Sequence, residues 1–303
     1  MYAMKKVLLM IAVTTAFAVS SYAQSVIDAE ESRNPNDFYQ KGIVVGKKAM
    51  PYPFLRESDV VWETTIWRDI DFNESFNQFF YFPTETNGNT QGRINLVNLI
   101  LKYAQNGEID IYDDDDMTVP ISWEKARLNL NGNPYTMQVN VINPETGEPE
   151  YDEDGEEVMK DSLVTPTADL TTAKKVRIKE YWYIDKQDTR QKVRIVSLQF
   201  FFMKPAASKN AEDQIAPSFC IPMDDMKTRQ MLVNANAFDE NNVVAERSYD
   251  DVFIQRYFDS YVTRESNKYN RSISEYLTGK DAIVESQQIE SRIFDIESDM
   301  WEY

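Results

Sequence analysis

From Lys175 to Asp185 apolar residues fall on every second position: Val176, Ile178, Trp182 and Ile184 share one parity, and Glu180 falls on it too. A period of two puts alternate side chains on one face of a strand. The polar stretch "DKQDTRQ" follows, and "KVRIVSLQFFF" then returns, so these runs predict an antiparallel hairpin. Both parities of the return run are partly apolar, which predicts a central strand covered on both faces. Met137, Val139 and Val141 alternate in the same way ahead of "NPETGEPEYDEDGEE", an acidic loop punctuated by Pro and Gly.

Elsewhere the period is that of a helix. Leu96, Leu99, Ile100 and Tyr103 fall on one face, Gly107 supplies a stop, and "IDIY" alternates as a short strand. Ser248 and Asp251 form a capping box ahead of "VFIQRYFDSYV", where Val252, Phe253, Tyr257, Tyr261 and Val262 make a stripe that predicts one helix. "YLTG" breaks the chain, and a second helix resumes with Ile289, Ile293, Ile296 and Met300 on one face. The aromatic-rich "DVVWETTIWRDIDFNESFNQFFYFP" marks core or buried interface. Strands grouped together and helices at the end predict an α+β fold: an antiparallel sheet with a central hairpin, flanking helices and a C-terminal helical segment. The expected organisation is an α+β core over 55–245 with a helical segment over 246–303 packed on it.

Two segments precede that core. Lys5 and Lys6, an apolar run from Val7 to about Val19, and Ser20-Ser21-Tyr22-Ala23 have the layout of a secretory signal peptide over 1–23, cleaved after Ala23. The run is shorter than the roughly 20 apolar residues of a membrane span, and no cysteine at the cleavage point offers a lipid attachment. An exported protein is expected, with any membrane attachment made through a partner. Residues 24–54 read as an extended arm, because Pro35, Pro51 and Pro53 forbid a long helix. Phe38, Tyr39, Tyr52 and Phe54 are its candidate interface residues, docking on their own domain or on a neighbouring subunit.

Composition removes several chemistries. The chain carries no His and a net charge of −18, which excludes His-based acid–base catalysis and argues against nucleic acid and anionic lipid. Cys220 is the only cysteine, so no intramolecular disulfide forms, and its expected role is a small buried apolar residue. No phosphate-binding loop or nucleophile elbow is present, and no cofactor is expected. Asp113 to Asp116 and the Glu145 to Glu157 loop lack the alternate ligand spacing of a calcium loop, so solvated loop charge is expected and no metal site. Glu180 on an apolar parity suggests either a general acid or a structural ion pair with an arginine such as Arg194. The pairing is favoured, since buried acids persist by pairing.

Four colinear blocks, "VVWETTIWRDIDFNESFNQFFYFP", "IKEYWYIDKQDTRQKVRIVSL", "DDVFIQRYFDSYVTRESNKYNRSI" and "GKDAIVESQQIESRIFDIESDMW", resemble the gliding-motility-associated GldN family, also called PorN. The resemblance covers about Trp62 to Trp301. It implies a non-enzymatic periplasmic component of the type IX secretion system that forms a ring with an outer-membrane lipoprotein, GldK or PorK. It also implies contact with the periplasmic part of the motor protein GldM or PorM, and no catalytic residues. Glu180, Trp182, Asp185 and Arg194 then hold the hairpin and its packing. Two other readings remain beside it. A carboxylate-dependent hydrolase needs a second acid about 5–10 Å from Glu180 in a cleft. A glycan- or peptide-binding module needs exposed aromatics lining a groove.

Overall fold

The computed structural model describes residues 47–85, 90, 92–131, 135–140, 159–164, 172–187, 190–204, 214–239, 242 and 246–301. The expected signal peptide, the arm residues Phe38 and Tyr39 and the acidic loop over 145–157 lie outside these.

The expected hairpin is present as β4 (Ala173–Asp185) and β5 (Gln191–Lys204), paired with Ile178 opposite Leu198 and Trp182 opposite Val193. Around it, β1 (Val60–Asp71), β6 (Gln214–Pro222) and β7 (Tyr261–Glu265) complete a five-stranded sheet of order β6-β5-β4-β1-β7. Every neighbouring pair in it is antiparallel. A separate antiparallel pair joins β2 (Tyr135–Asn140) to β3 (Met159–Val164). The molecule is α+β, with α1 (Leu96–Gln105), α2 (Trp123–Asn131), α3 (Met226–Asn234), α4 (Tyr249–Ile254) and α5 (Lys280–Trp301).

Register divides the sheet's two faces. Ile70, Val176, Ile178, Leu198, Phe200, Phe219 and Ile221 align on one face. They join Leu96 and Ile100 of α1, Leu232 of α3 and Phe253 of α4 in one buried cluster. Phe200, Phe201 and Phe202 are all buried, so β5 is covered on both faces as its mixed parity implies. The opposite face carries Trp67, Asp69, Lys175, Arg177, Lys179 and Phe201. Here cations take the place of a second apolar layer: Lys175 and Arg177 lie over the Phe201 ring at 5.0 and 4.8 Å, and Arg264 over Trp67 at 3.7 Å.

Local signals behave as expected in α1 and α5. Asn95 caps α1 by accepting from the Asn98 amide at 2.7 Å, and Gly107, at φ 70°, follows its end. Ile289 and Ile293 of α5 pack with Ile66, Val262 and Ile273 in a second, smaller cluster, while Ile296 of the expected face is half-buried outside it and the Met300 side chain lies outside the described residues. The stretch after the Ser248–Asp251 capping box differs from its expected single helix. The box is present, but α4 ends at Ile254, and Arg256 at φ 55° turns the backbone out of the helix. Tyr261, Val262 and Thr263 then extend along the free edge of β1. Aromatic and β-branched residues suit a strand, and pairing satisfies backbone groups that an open edge would expose. Over the described residues 246–301 the chain is therefore two α-helices separated by a strand and a short 3-10 turn. "IDIY" alternates without forming a strand: Ile109 and Ile111 are buried, and Tyr112 exchanges two 2.8 Å backbone bonds with Cys220 on the rim of β6.

Candidate functional site

Glu180 lies where β4 crosses the middle of the sheet, with Ile66 on one side and Ile195 on the other. It is fully buried. Arg256 reaches it from beyond α4, donating from Nη1 to Oε1 at 2.5 Å and from Nη2 to Oε2 at 3.3 Å. The Trp182 indole donates to Oε2 at 2.9 Å. Arg256 also lies over the Trp182 and Phe258 rings at 5.3 and 5.4 Å. Both carboxylate oxygens are thus occupied by fixed donors, an arrangement that holds the anion and its arginine together.

Arg194, the expected partner, is not the one used. Its register opposite Tyr181 puts it on the other face of the sheet. There it donates to the Pro53 carbonyl at 2.7 Å and lies over Tyr52 and Tyr183 at 5.0 and 5.7 Å. Asp185 sits at the strand end, accepting from the Gln187 amide at 2.9 Å and pairing with Lys192 at 3.4 Å. The structure therefore brings Glu180 and Trp182 together, and places Asp185 and Arg194 at separate points of the same hairpin.

Asp113 to Asp116 are not a free run of charge. Asp113 accepts from Lys125 at 2.9 Å and Asn129 at 3.1 Å. Asp114 accepts from the Thr118 hydroxyl at 2.5 Å and the Thr118 amide at 3.0 Å. The Thr118 hydroxyl, aided by backbone amides, holds its carboxyl below the usual range. Asp115 accepts from the Trp67 indole at 2.6 Å, and Asp116 pairs with Lys179 at 2.5 Å. The four acids diverge to different partners, and Asp115 and Asp116 latch the loop onto the cationic face. Among the described residues no group of three His, Cys, Asp or Glu converges on a point that could hold a metal.

The last part of the arm is held beside α3. Ala49 donates to Gln230 at 3.1 Å, and Arg229 donates to the Met50 carbonyl. Tyr52 lies between the Arg194 and Arg229 guanidiniums, at 5.0 and 4.8 Å. Burial pushes its hydroxyl up, with Arg229 opposing. Arg229 in turn forms a two-pronged buried pair with Asp250, both bonds 3.0 Å. Phe54 is 87% exposed. On the cationic face, fully buried Asp69 accepts from Lys175 at 2.7 Å and Arg177 at 2.6 Å. Sequence reasoning missed Asp69, Arg229, Asp250 and Arg256. For Asp69 a signal existed, since Trp67 and Asp69 share the parity that faces Lys175, Arg177 and Lys179. Cys220 is fully buried, as expected, and burial pushes its thiol up to about 12.

Among the described residues no helix is long and apolar enough to cross a membrane. A family model described as "Gliding motility associated protein GldN" matches residues 55–302, the stretch from just ahead of β1 to the end of α5. Comparison with curated proteins gives no match.

Proposed function

We propose that this chain, which belongs to the gliding motility associated GldN family, is a non-enzymatic structural subunit of the periplasmic ring of the type IX secretion and gliding machinery. In this reading it binds a GldK- or PorK-like outer-membrane lipoprotein, the periplasmic part of a GldM- or PorM-like motor protein, and further copies of itself. The observation that carries it is the family match over residues 55–302. The chemistry of the buried charges supports it: Glu180, Asp69 and Asp250 each neutralise arginine or lysine across distant parts of the chain, which suits a rigid scaffold. A hydrolase built on Glu180 would need a carboxyl free to meet a substrate, and both of its oxygens are taken by Arg256 and Trp182.

A closed ring requires a head-to-tail interface. The arm supplies one in this proposal, with Phe38, Tyr39 and exposed Phe54 reaching a neighbouring copy while Tyr52 anchors the arm to its own subunit. Co-expression with the lipoprotein stripped of its lipid, followed by electron microscopy, tests the assembly. Rings are expected from the full chain, and monomers from a chain lacking residues 24–46 that keeps native circular dichroism. Rings from the truncated chain would remove the arm from the interface, and a failure of the full chain to associate at all would contradict the scaffold reading.

A further inference from the structure

α5 has two faces of different character. Ser286, Ile289 and Ile293 turn toward β7, where the Ser286 hydroxyl accepts from the Val262 amide at 3.0 Å. A second row, Val284, Gln287, Ser291, Phe294 and Ser298, is exposed along its whole length. Its residues recur at alternating intervals of three and four, the repeat by which one helix meets another along a shared seam. Phe294 is 69% exposed, Val284 48%, and neighbouring Ile283 62%. Val284 and Phe294 are the apolar residues of this row, with Gln287 and Ser291 between them, Lys280 at its start and Ile283 beside it. Beside Phe294 runs a groove of about 360 Å³ with Trp182, Arg256 and Ile293 in its walls. The arginines lining it, Arg68 and Arg256, are already neutralised by Glu290 and Glu180.

Charge selects what fits. On a helical projection Asp281, Asp295 and Asp299 flank the row on one side and Glu297 on the other. None of these four has an ion-pair partner among the described residues. A second copy of α5 would bring the same carboxylates and be repelled, and an anionic lipid surface is disfavoured for the same reason. The small Ser291 and Ser298 leave room for a close helical backbone.

We propose that the outer row of α5 is a docking rail for one basic amphipathic helix of another protein. Its apolar residues lie on Val284 and Phe294, and its lysines or arginines meet Glu297 and the aspartates. This rests on the scaffold reading and names one interface within it.

The test places a photo-crosslinking phenylalanine analogue at position 294 of the full chain in its host, with the same analogue at exposed Tyr269 as control. Cross-linked peptides are then identified by mass spectrometry. The expected result is a cross-link from 294, absent from 269, to a peptide of net positive charge with apolar residues every three or four positions. It is lost when Asp295→Lys and Glu297→Lys are added. A cross-link to another copy of this chain, to an acidic peptide, or to nothing overturns the proposal, as does a cross-link indifferent to the charge reversal. Ring particles recovered from the same cells separate the two claims. Rings without the basic cross-link overturn the docking rail alone, and the basic cross-link without rings overturns the scaffold reading alone.

Discussion

Glu180 and Asp250 are buried carboxylates, each held by an arginine through two hydrogen bonds. Coulomb attraction in such a site is offset by the desolvation of both ions, so the intact pair adds little net stability. Removing one partner is different, because the other charge is left in apolar surroundings at a cost of about 3–5 kcal/mol. Glu180→Ala and Arg256→Ala are each expected to lose stability of that order in urea denaturation. The double variant should lose clearly less than their sum; additive losses would mean that the two side chains act independently. Cys220 and Tyr249 contribute to the alkaline limb, beside Tyr52, Tyr261 and Tyr276, whose hydroxyls burial also raises. Burial raises Cys220 and Tyr249 above their ordinary values, Cys220 to about 12 from 9.0. The Tyr249 hydroxyl donates to the Ile94 carbonyl at 3.0 Å, a bond its anion could not make. The folded state therefore keeps protons that the unfolded chain releases, and stability is full below pH 9 and falls as pH rises toward 12. The slope is at most about 1.4 kcal/mol per pH unit for each group. Thermal melts from pH 8 to 11 should show this decline, and Cys220→Ala should flatten its lower part.

At the scale of elements, what was legible in the sequence was what short-range pattern controls. The β4–β5 hairpin, α1 and its stop at Gly107, and the buried row of α5 each follow from a period sustained over many residues or from a cap a few positions away. The strand β7 was not legible, because five residues hold too few repeats to separate a strand from the end of a helical stripe. Its state is decided by the free edge of β1, far away in sequence. The charged pairs were illegible for a related reason: Glu180 and Arg256 are 76 positions apart, and Asp69 and Arg177 are 108 apart. Parity gave the burial of Glu180 and its need of a cation, and not the partner, since it was silent on which face Arg194 occupies. The junction of β7 and α5 rests on Ser286, whose hydroxyl satisfies the buried Val262 amide. Ser286→Ala should cost about 1–3 kcal/mol, the usual penalty for an orphaned buried donor. Hydrogen exchange should then quicken at Val262 and along α5 before it does in β4. Uniform quickening would mean that α5 is no separate unit.

For the whole molecule, the net charge of −18 hides a local inversion. The sheet face opposite the main core carries Lys175, Arg177, Lys179, Arg194 and Arg264 among aromatic rings, and the acids Asp115 and Asp116 are drawn onto it. The Asp113–Asp116 loop should consequently be a clamp and not a calcium site. Millimolar calcium is expected to leave the melting temperature unchanged, while Lys179→Met should lower it. Calcium-dependent stabilisation abolished by Asp114→Asn would reverse that assignment. We propose that a chain of this acidic composition, with a cation-stacked sheet face and an outward-facing final helix, works inside an assembly. The most direct test is affinity purification of the tagged full chain from detergent-solubilised envelopes of its host, with mass spectrometry of what accompanies it. Recovery of an outer-membrane lipoprotein and a motor protein in near-stoichiometric amounts is the predicted result. Recovery of the chain alone, under conditions that preserve other envelope complexes, would contradict the account.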